Sequence, residues 1–203
     1  MRDSKMPTDL RLEKFNRANA NLILRWRNTE NVRNNFLNNE VIQLNDHLQF
    51  VNLLENQRDL NYFIVHLSGQ PVAVLNVNFI ASVGSWGCYL IDEGKQIIRP
   101  GVFPMLIGLS GIIAFDMLSC EKLCSDVLQT NTPPQAVNSF LKIPQSGSRV
   151  EYRSAEHEVA VLSYTLLKAS WPLVALRINE LLTRHQRKLL SDFAENPKTF
   201  IHD

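Results

Sequence analysis

From Gly101 to Phe115 the chain reads GVFPMLIGLSGIIAF, a run with no charged residue. A segment of this kind is buried, either in lipid or in a protein core. A spanning helix needs about 20 apolar residues, this run is shorter, and Asp116 follows at once. It therefore predicts a helix buried inside a globular domain. With 203 residues in all, the chain has room for one sizeable core and an appendage. The charges, 21 Lys and Arg against 20 Asp and Glu, leave a net of +1. That balance excludes a nucleic-acid binder driven by counterion release and gives no attraction to anionic lipid. Cys88, Cys120 and Cys124 make an odd count, which argues against a secreted disulfide scaffold. Cys120 and Cys124 lack the second Cys/His pair that a zinc site needs, so no metal is expected. The N-terminal stretch MRDSKMPTDLRLEKF carries charges throughout and has no apolar core of a signal peptide. The expectation is a cytoplasmic protein.

Hydrophobic period then orders the elements. Residues 9–15 alternate as a short strand, and residues 19–36 carry a broken helical stripe of Leu22, Leu24, Trp26, Val32 and Phe36. A second helix starts near Asn45 and runs through His47, Phe50, Val51 and Leu54. Residues 61–66 and 72–80 form a hairpin around Ser68-Gly69-Gln70-Pro71. Residues 85–91 are a further strand, the buried helix covers 104–118, and a strand covers 123–128. After Asn131-Thr132-Pro133-Pro134 come a short helix at 135–142, a strand at 159–168 and a long amphipathic helix at 172–194. The order β α α β β β α β α β α describes a mixed α/β sandwich with a largely antiparallel sheet.

Over residues 9–168 this order and its residues resemble the GNAT superfamily of acetyl-CoA-dependent N-acetyltransferases. Leu24-Arg25-Trp26-Arg27-Asn28 with Asn31-Val32-Arg33 is similar to the WRN…VR stretch of the family's first helix. Asp46-His47-Leu48 with Phe50 resembles the opening of its second helix. Ser85-Trp86-Gly87-Cys88-Tyr89-Leu90-Ile91 resembles its splayed central strand, and Cys124–Lys142 its next strand, Asn and short helix. The combination most resembles the sugar-nucleotide branch of the pseudaminic acid pathway, and the WRN…VR stretch is shared with the ribosomal-protein branch. The resemblance implies a GNAT-like domain at 1–168, and residues 169–203, a C-terminal helical extension, match no part of its pattern. It implies transfer of acetyl from acetyl-CoA to a primary amine in a ternary complex, with an amino sugar of a nucleotide sugar as the acceptor. Two alternatives stand beside it: a protein N-terminus as acceptor, or a binding module that has lost acetyl-CoA chemistry.

Roles follow from the same resemblance. Glu93 or Asp92 is the general base, against the plain reading of a solvated turn. Leu90 and Ile91 offer backbone to the pantetheine arm and thioester. Arg99, Gly101, Val102 and Phe103 form the pyrophosphate loop, and Asn131 contacts CoA. Arg25, Trp26, Arg27, His47 and Asn76 face the acceptor. Their plain readings are a core Trp with two surface arginines, a surface His in a first helical turn, and a solvated sheet face. Two departures from the pattern matter. Phe103 stands at the second Gly/Ala position of the loop, where its ring would fill pyrophosphate space, and Pro104 is expected at the first position of the helix. Asn138 stands where the family often has a Tyr that protonates the thiolate, leaving Tyr152 and Tyr164 as the phenols considered for that step. Cys88 reads as a small buried side chain. The last helix, basic at Arg184–Lys188, either packs back on the domain or mediates a homodimer. In a chain of near-zero net charge, Arg25, Arg27, Lys95 and Arg99 are the candidates for local binding charge.

Overall fold

The computed structural model describes residues 9–57, 59–91, 100–154 and 157–202. Its elements are β1 (Leu10–Lys14), α1 (Ala20–Arg27), α2 (Glu30–Arg33), α3 (Leu44–Asn56), β2 (Leu60–Leu67), β3 (Gln70–Ile80) and β4 (Val83–Leu90). Then follow α4 (Val102–Gly111), β5 (Lys122–Leu128), α5 (Thr132–Leu141), β6 (Gln145–Ser154), β7 (His157–Leu167), α6 (Trp171–Leu181), α7 (Arg184–Glu195) and β8 (Ile201–His202). Eight strands form one sheet in the order β6-β7-β5-β4-β3-β2-β1-β8. The β4–β5 and β1–β8 pairs are parallel and the others antiparallel. The expected mixed, largely antiparallel architecture is the one observed.

Strand alternation sends the two faces of the sheet into two cores. Ile64 and Val74 pack with Phe15, Ile23 and Trp26 under α1 and α3. Their neighbours Phe63, Val65, Leu75 and Val77 pack with Met105, Leu106, Ile107 and Leu109 of α4. Every residue of α4 except Phe103 is buried, as the uncharged run requires. The helix continues from Ile112 to Met117 as a π-helical turn. Among the described residues no helix is long and apolar enough to cross a membrane.

Four local readings are corrected. The helix expected over 19–36 breaks at Thr29, whose extended backbone (φ −63°, ψ 144°) caps α2. Strand β6 has no counterpart in the sequence reading. It is an edge strand with Val150 and Tyr152 exposed, so neither face carries an apolar period. The helix expected over 172–194 is two helices, because Leu182 is extended (ψ 146°). Thr183 and Gln186 then close a capping box at the start of α7. Finally, Gly101 caps α4 in the left-handed region at φ 83°, which places Pro104 third in the helix rather than first.

The extension after residue 168 packs back on the domain. Val174, Ile178, Leu182, Leu189, Leu190 and Phe193 share one core with α4. Leu173 and Leu176 stay exposed.

Candidate active site

Strands β4 and β5 pair only from Val83↔Lys122 to Ser85↔Cys124. Beyond that point β4 stays with β3 as far as Ala73↔Leu90, and β5 stays with β7 as far as Leu128↔Val161. The two strands therefore part from Trp86 onward, and backbone N–H and C=O groups along one edge of β4 lose their ladder partners. Half-buried backbone groups left open in this way are suited to pair with an extended amide-bearing ligand. Leu90 and Ile91 lie at the open end, where Ile91 N donates to Val72 O at 3.0 Å.

Below the opening stands the N-terminus of α4. The first intrahelical bond is Met105 N to Gly101 O, 3.0 Å. The first-turn N–H groups of Val102 and Phe103 have no helical carbonyl to reach, and Pro104 has no N–H at all. This end carries the positive pole of the helix and suits an anion. The Phe103 ring meets strand β4. It packs on Trp86 of β4, with centroids 6.2 Å apart, inside the core shared with α4. This aromatic pair ties α4 to the splayed strand. Asn131 caps α5, yet its side chain makes no cap bond. The neighbouring carbonyls of Leu128, Gln129 and Asn131 are held instead by Gln135 Nε2 at 3.2, 2.8 and 3.0 Å.

On the other face, the WRN…VR residues hold a loop. Asn28 Nδ2 donates to Ile42 O and Asn28 Oδ1 accepts from Ile42 N, both at 2.9 Å. Arg33 donates to Asn28 O and Asn39 O, and Arg27 Nη2 donates to Asn38 O at 3.0 Å. The held loop brings the Phe36 ring against one guanidinium group and its carbonyl against another. Arg27 stacks on its ring with Cζ 3.8 Å from the centroid. Arg153, from the β6–β7 hairpin, donates Nη2 to Asn34 O at 2.9 Å and Phe36 O at 2.6 Å. Since β7 and β5 lie between β6 and β4, the hairpin end reaches across the splay. Tyr89 of β4 meets Phe36 edge-on at 5.9 Å.

Three donors in this cluster, Arg27 Nη1, Tyr89 Oη and Arg153 Nε, are buried without a hydrogen-bond partner. An unpaired buried donor costs roughly 1–3 kcal/mol. Arg27, Arg33 and Arg153 have no carboxylate partner among the described residues. Burial lowers the Arg27 pKa, nearby Tyr89 opposes that, and Arg33 adds to it. Burial raises the Tyr89 pKa, with Arg27 opposing, so the phenol keeps its proton and can donate it in a hydrogen bond. An anionic oxygen placed among these groups would satisfy donors and offset charge together.

Other expected site residues fall elsewhere. Trp26 is 2% exposed and belongs to the core under α1. His47 is 5% exposed, so the surface reading fails. Its Nε2 lies 2.9 Å from Ala20 O and therefore carries the proton, clasping α3 to α1. Burial lowers its pKa, which keeps the ring neutral at pH 7. Arg25 is exposed on α1. Asn76 is half-buried opposite Gly87. A Cβ on Gly87 would stand 3.0 Å from Asn76 Oδ1, so the glycine makes room for that amide. Asn138 is buried in α5. Of the two phenols considered, Tyr164 lies in the core, and Tyr152 donates to Glu158 at the exposed hairpin. Burial pushes the Cys88 thiol up to about 12, which removes thiolate nucleophilicity at neutral pH. Asp92, Glu93, Lys95 and Arg99 lie outside the described residues. Among the described residues no group of three or more His, Cys, Asp or Glu could hold a metal ion.

No family model matches the chain. The fold is that of the GNAT N-acetyltransferases. A solved acetyltransferase chain aligns with a TM-score of 0.69 at 17% identity, over 92% of this chain and 97% of that one. Spermidine N-acetyltransferase from Vibrio cholerae, solved with CoA and spermine, aligns with a TM-score of 0.67 at 16% identity, over 82% and 99%. In sequence, the chain is 27% identical over 126 residues to acetyltransferase PseH of Campylobacter jejuni subsp. jejuni serotype O:2, covering 60% of this chain and 76% of that protein. The fold is thus shared with solved acetyltransferases, and over 126 residues the sequence is similar to an acetyltransferase.

Proposed function

We propose that the chain transfers acetyl from acetyl-CoA to the primary amine of an anionic small molecule, an amino sugar carried on a nucleotide. The observation behind this reading is the cluster of buried, unpartnered donors on Arg27, Tyr89 and Arg153 beside the splayed strand. A polyamine such as the spermine bound by the V. cholerae enzyme would bring more positive charge to three arginines. A nucleotide brings phosphate oxygens instead, and guanidinium groups bind these bidentately. The similarity to PseH is consistent with that choice.

In this reading the acceptor amine loses a proton to Glu93 or Asp92, directly or through water, and its nitrogen attacks the thioester carbon. The carbon–sulfur bond breaks and CoA leaves as the thiol, or as a thiolate that takes a proton afterwards. The N–H groups of Gly101, Val102 and Phe103, with Arg99, hold the pyrophosphate. The backbone at Leu90 aligns the thioester, Ile91 anchors that end of β4 on Val72, and Asn131 holds CoA on the far side of the splay. Arg27 acts with Arg153 and Tyr89 on the acceptor's anionic part, with Arg25 and Asn76 at the rim of the cleft. Trp26 and His47 act through packing, by fixing α1 against the sheet and α3. The test is product identification. Incubation with acetyl-CoA and a nucleotide-linked 4-amino sugar is expected to give one N-acetylated product per CoA released. Hydrolysis of acetyl-CoA without acetylated sugar would contradict the reading.

A further inference from the structure

Three glycines of the α4 segment face the C-terminal extension. A Cβ on Gly101 would stand 2.5 Å from Gln186 Oε1, one on Gly108 would stand 2.5 Å from Leu190 Cδ2, and one on Gly111 would meet the Trp171 ring at 2.4 Å. The first of these contacts touches the candidate pyrophosphate loop itself. Gln186 is 8% exposed and both ends of its amide are engaged. Its Oε1 accepts from Thr183 N at 3.0 Å within the capping box, while its Nε2 donates to Pro100 O at 2.9 Å. The side chain is therefore a strut from the start of α7 to the residue preceding the α4 cap.

A peptide unit is planar, and in the trans form its C=O and N–H point in opposite directions. Fixing the Pro100 carbonyl on Gln186 therefore aims the Gly101 N–H away from α7. Gly101 itself is left-handed, at φ 83°, a conformation a side chain resists, and the Gln186 contact denies it a side chain on separate grounds. We propose that the pair α6–α7 is a built-in part of the cofactor loop, with Gln186 as the positioning residue that sets the N–H groups of Gly101, Val102 and Phe103 for a pyrophosphate. The inference rests on the acetyl-CoA reading above and adds an element to it: residues after 168 act on cofactor affinity through one hydrogen bond.

Calorimetric titration of the full chain with CoA tests this, alongside acetyl transfer from acetyl-CoA and from S-acetylpantetheine, which lacks the pyrophosphate. Gln186→Met keeps side-chain length and removes both bonds, whereas Gln186→Glu keeps the acceptor for Thr183 N but has no donor for Pro100 O. Both are expected to weaken CoA about three- to tenfold, the worth of one hydrogen bond, and to leave the acceptor KM and the rate with S-acetylpantetheine unchanged. Thr183→Ala loses its Oγ1 bond to Gln186 N but keeps the strut, and is expected to leave CoA affinity within about twofold, since the Pro100 bond remains. Folded Gln186 variants that bind CoA as tightly as the wild type, or that slow S-acetylpantetheine equally, would overturn the inference while leaving the acetyl-CoA reading intact. A wild-type chain that binds no CoA overturns both.

Discussion

Arg27→Met and Arg153→Met are each expected to lower kcat/KM for a nucleotide-linked amine by about 10- to 100-fold, with the KM for acetyl-CoA unchanged. The magnitude follows from hydrogen bonds to charged groups, roughly 1.5–3 kcal/mol each. Both side chains already spend part of their donors on the loop after α2, through Asn38 O for Arg27 and through Asn34 O and Phe36 O for Arg153. Loosening of that loop would also change the acceptor kinetics, so the acceptor must be varied together with the residue. Against the same amino sugar without its nucleotide, the anion contacts do not exist, and the two variants should match the wild type within a few-fold. An equal loss with both acceptors would mean that the arginines only hold Phe36 in place. Because the two residues share one ligand group and both hold Phe36, Arg27 by its ring and Arg153 by its carbonyl, their effects are not expected to add.

The second large effect is on stability. Gly111→Val puts a branched side chain where the Trp171 ring already stands, with three ring carbons at 2.4–2.8 Å from the first added atom. Trp171 cannot move freely, since it packs on Phe115 with centroids 5.7 Å apart and opens α6. Overpacking of this kind costs about 1–3 kcal/mol, and for a chain of this size each kcal/mol shifts Tm by about 2–4 °C. Gly111→Val is therefore expected to lower Tm and to alter tryptophan fluorescence. In the double variant Gly111→Val, Trp171→Ala the loss should be smaller than the sum of the two single losses, because the large side chain fills the space that the small one leaves. Additive losses would mean that α6 does not rest on Gly111.

These two predictions draw on parts of the molecule that the amino-acid sequence reveals to different degrees. The buried helix is legible because burial on all sides leaves no charged position in 101–115. The strand over 85–91 is legible through its aromatic and β-forming residues, while its splay follows only from the family resemblance. Strand β6 is not, because an edge strand with both faces near solvent shows no apolar period. Arg27 is visible as a charged neighbour of a core Trp, but Arg153 lies 117 positions from the Phe36 carbonyl that it holds, and no local pattern announces such a pair. Tyr89 looks like an ordinary packed strand residue until the fold leaves its hydroxyl without a partner. His47 illustrates the opposite case, where a helix start suggests exposure and the packing of α1 removes it. The break of the last helix did have a local signal: Thr183 followed by Gln186 at capping-box spacing. The second role of that glutamine, the bond to Pro100, depends on tertiary packing that no spacing encodes.

The acceptor preference is the most direct test of the account. Steady-state release of CoA at saturating acetyl-CoA should be measured with three amines: a nucleotide-linked 4-amino sugar, the same sugar without its nucleotide, and spermine. The anion-binding cluster predicts a kcat/KM for the nucleotide-linked amine about 100-fold or more above the other two, from two or more charge-assisted contacts. Equal turnover of all three, or a preference for spermine, would contradict the role assigned to Arg27, Tyr89 and Arg153.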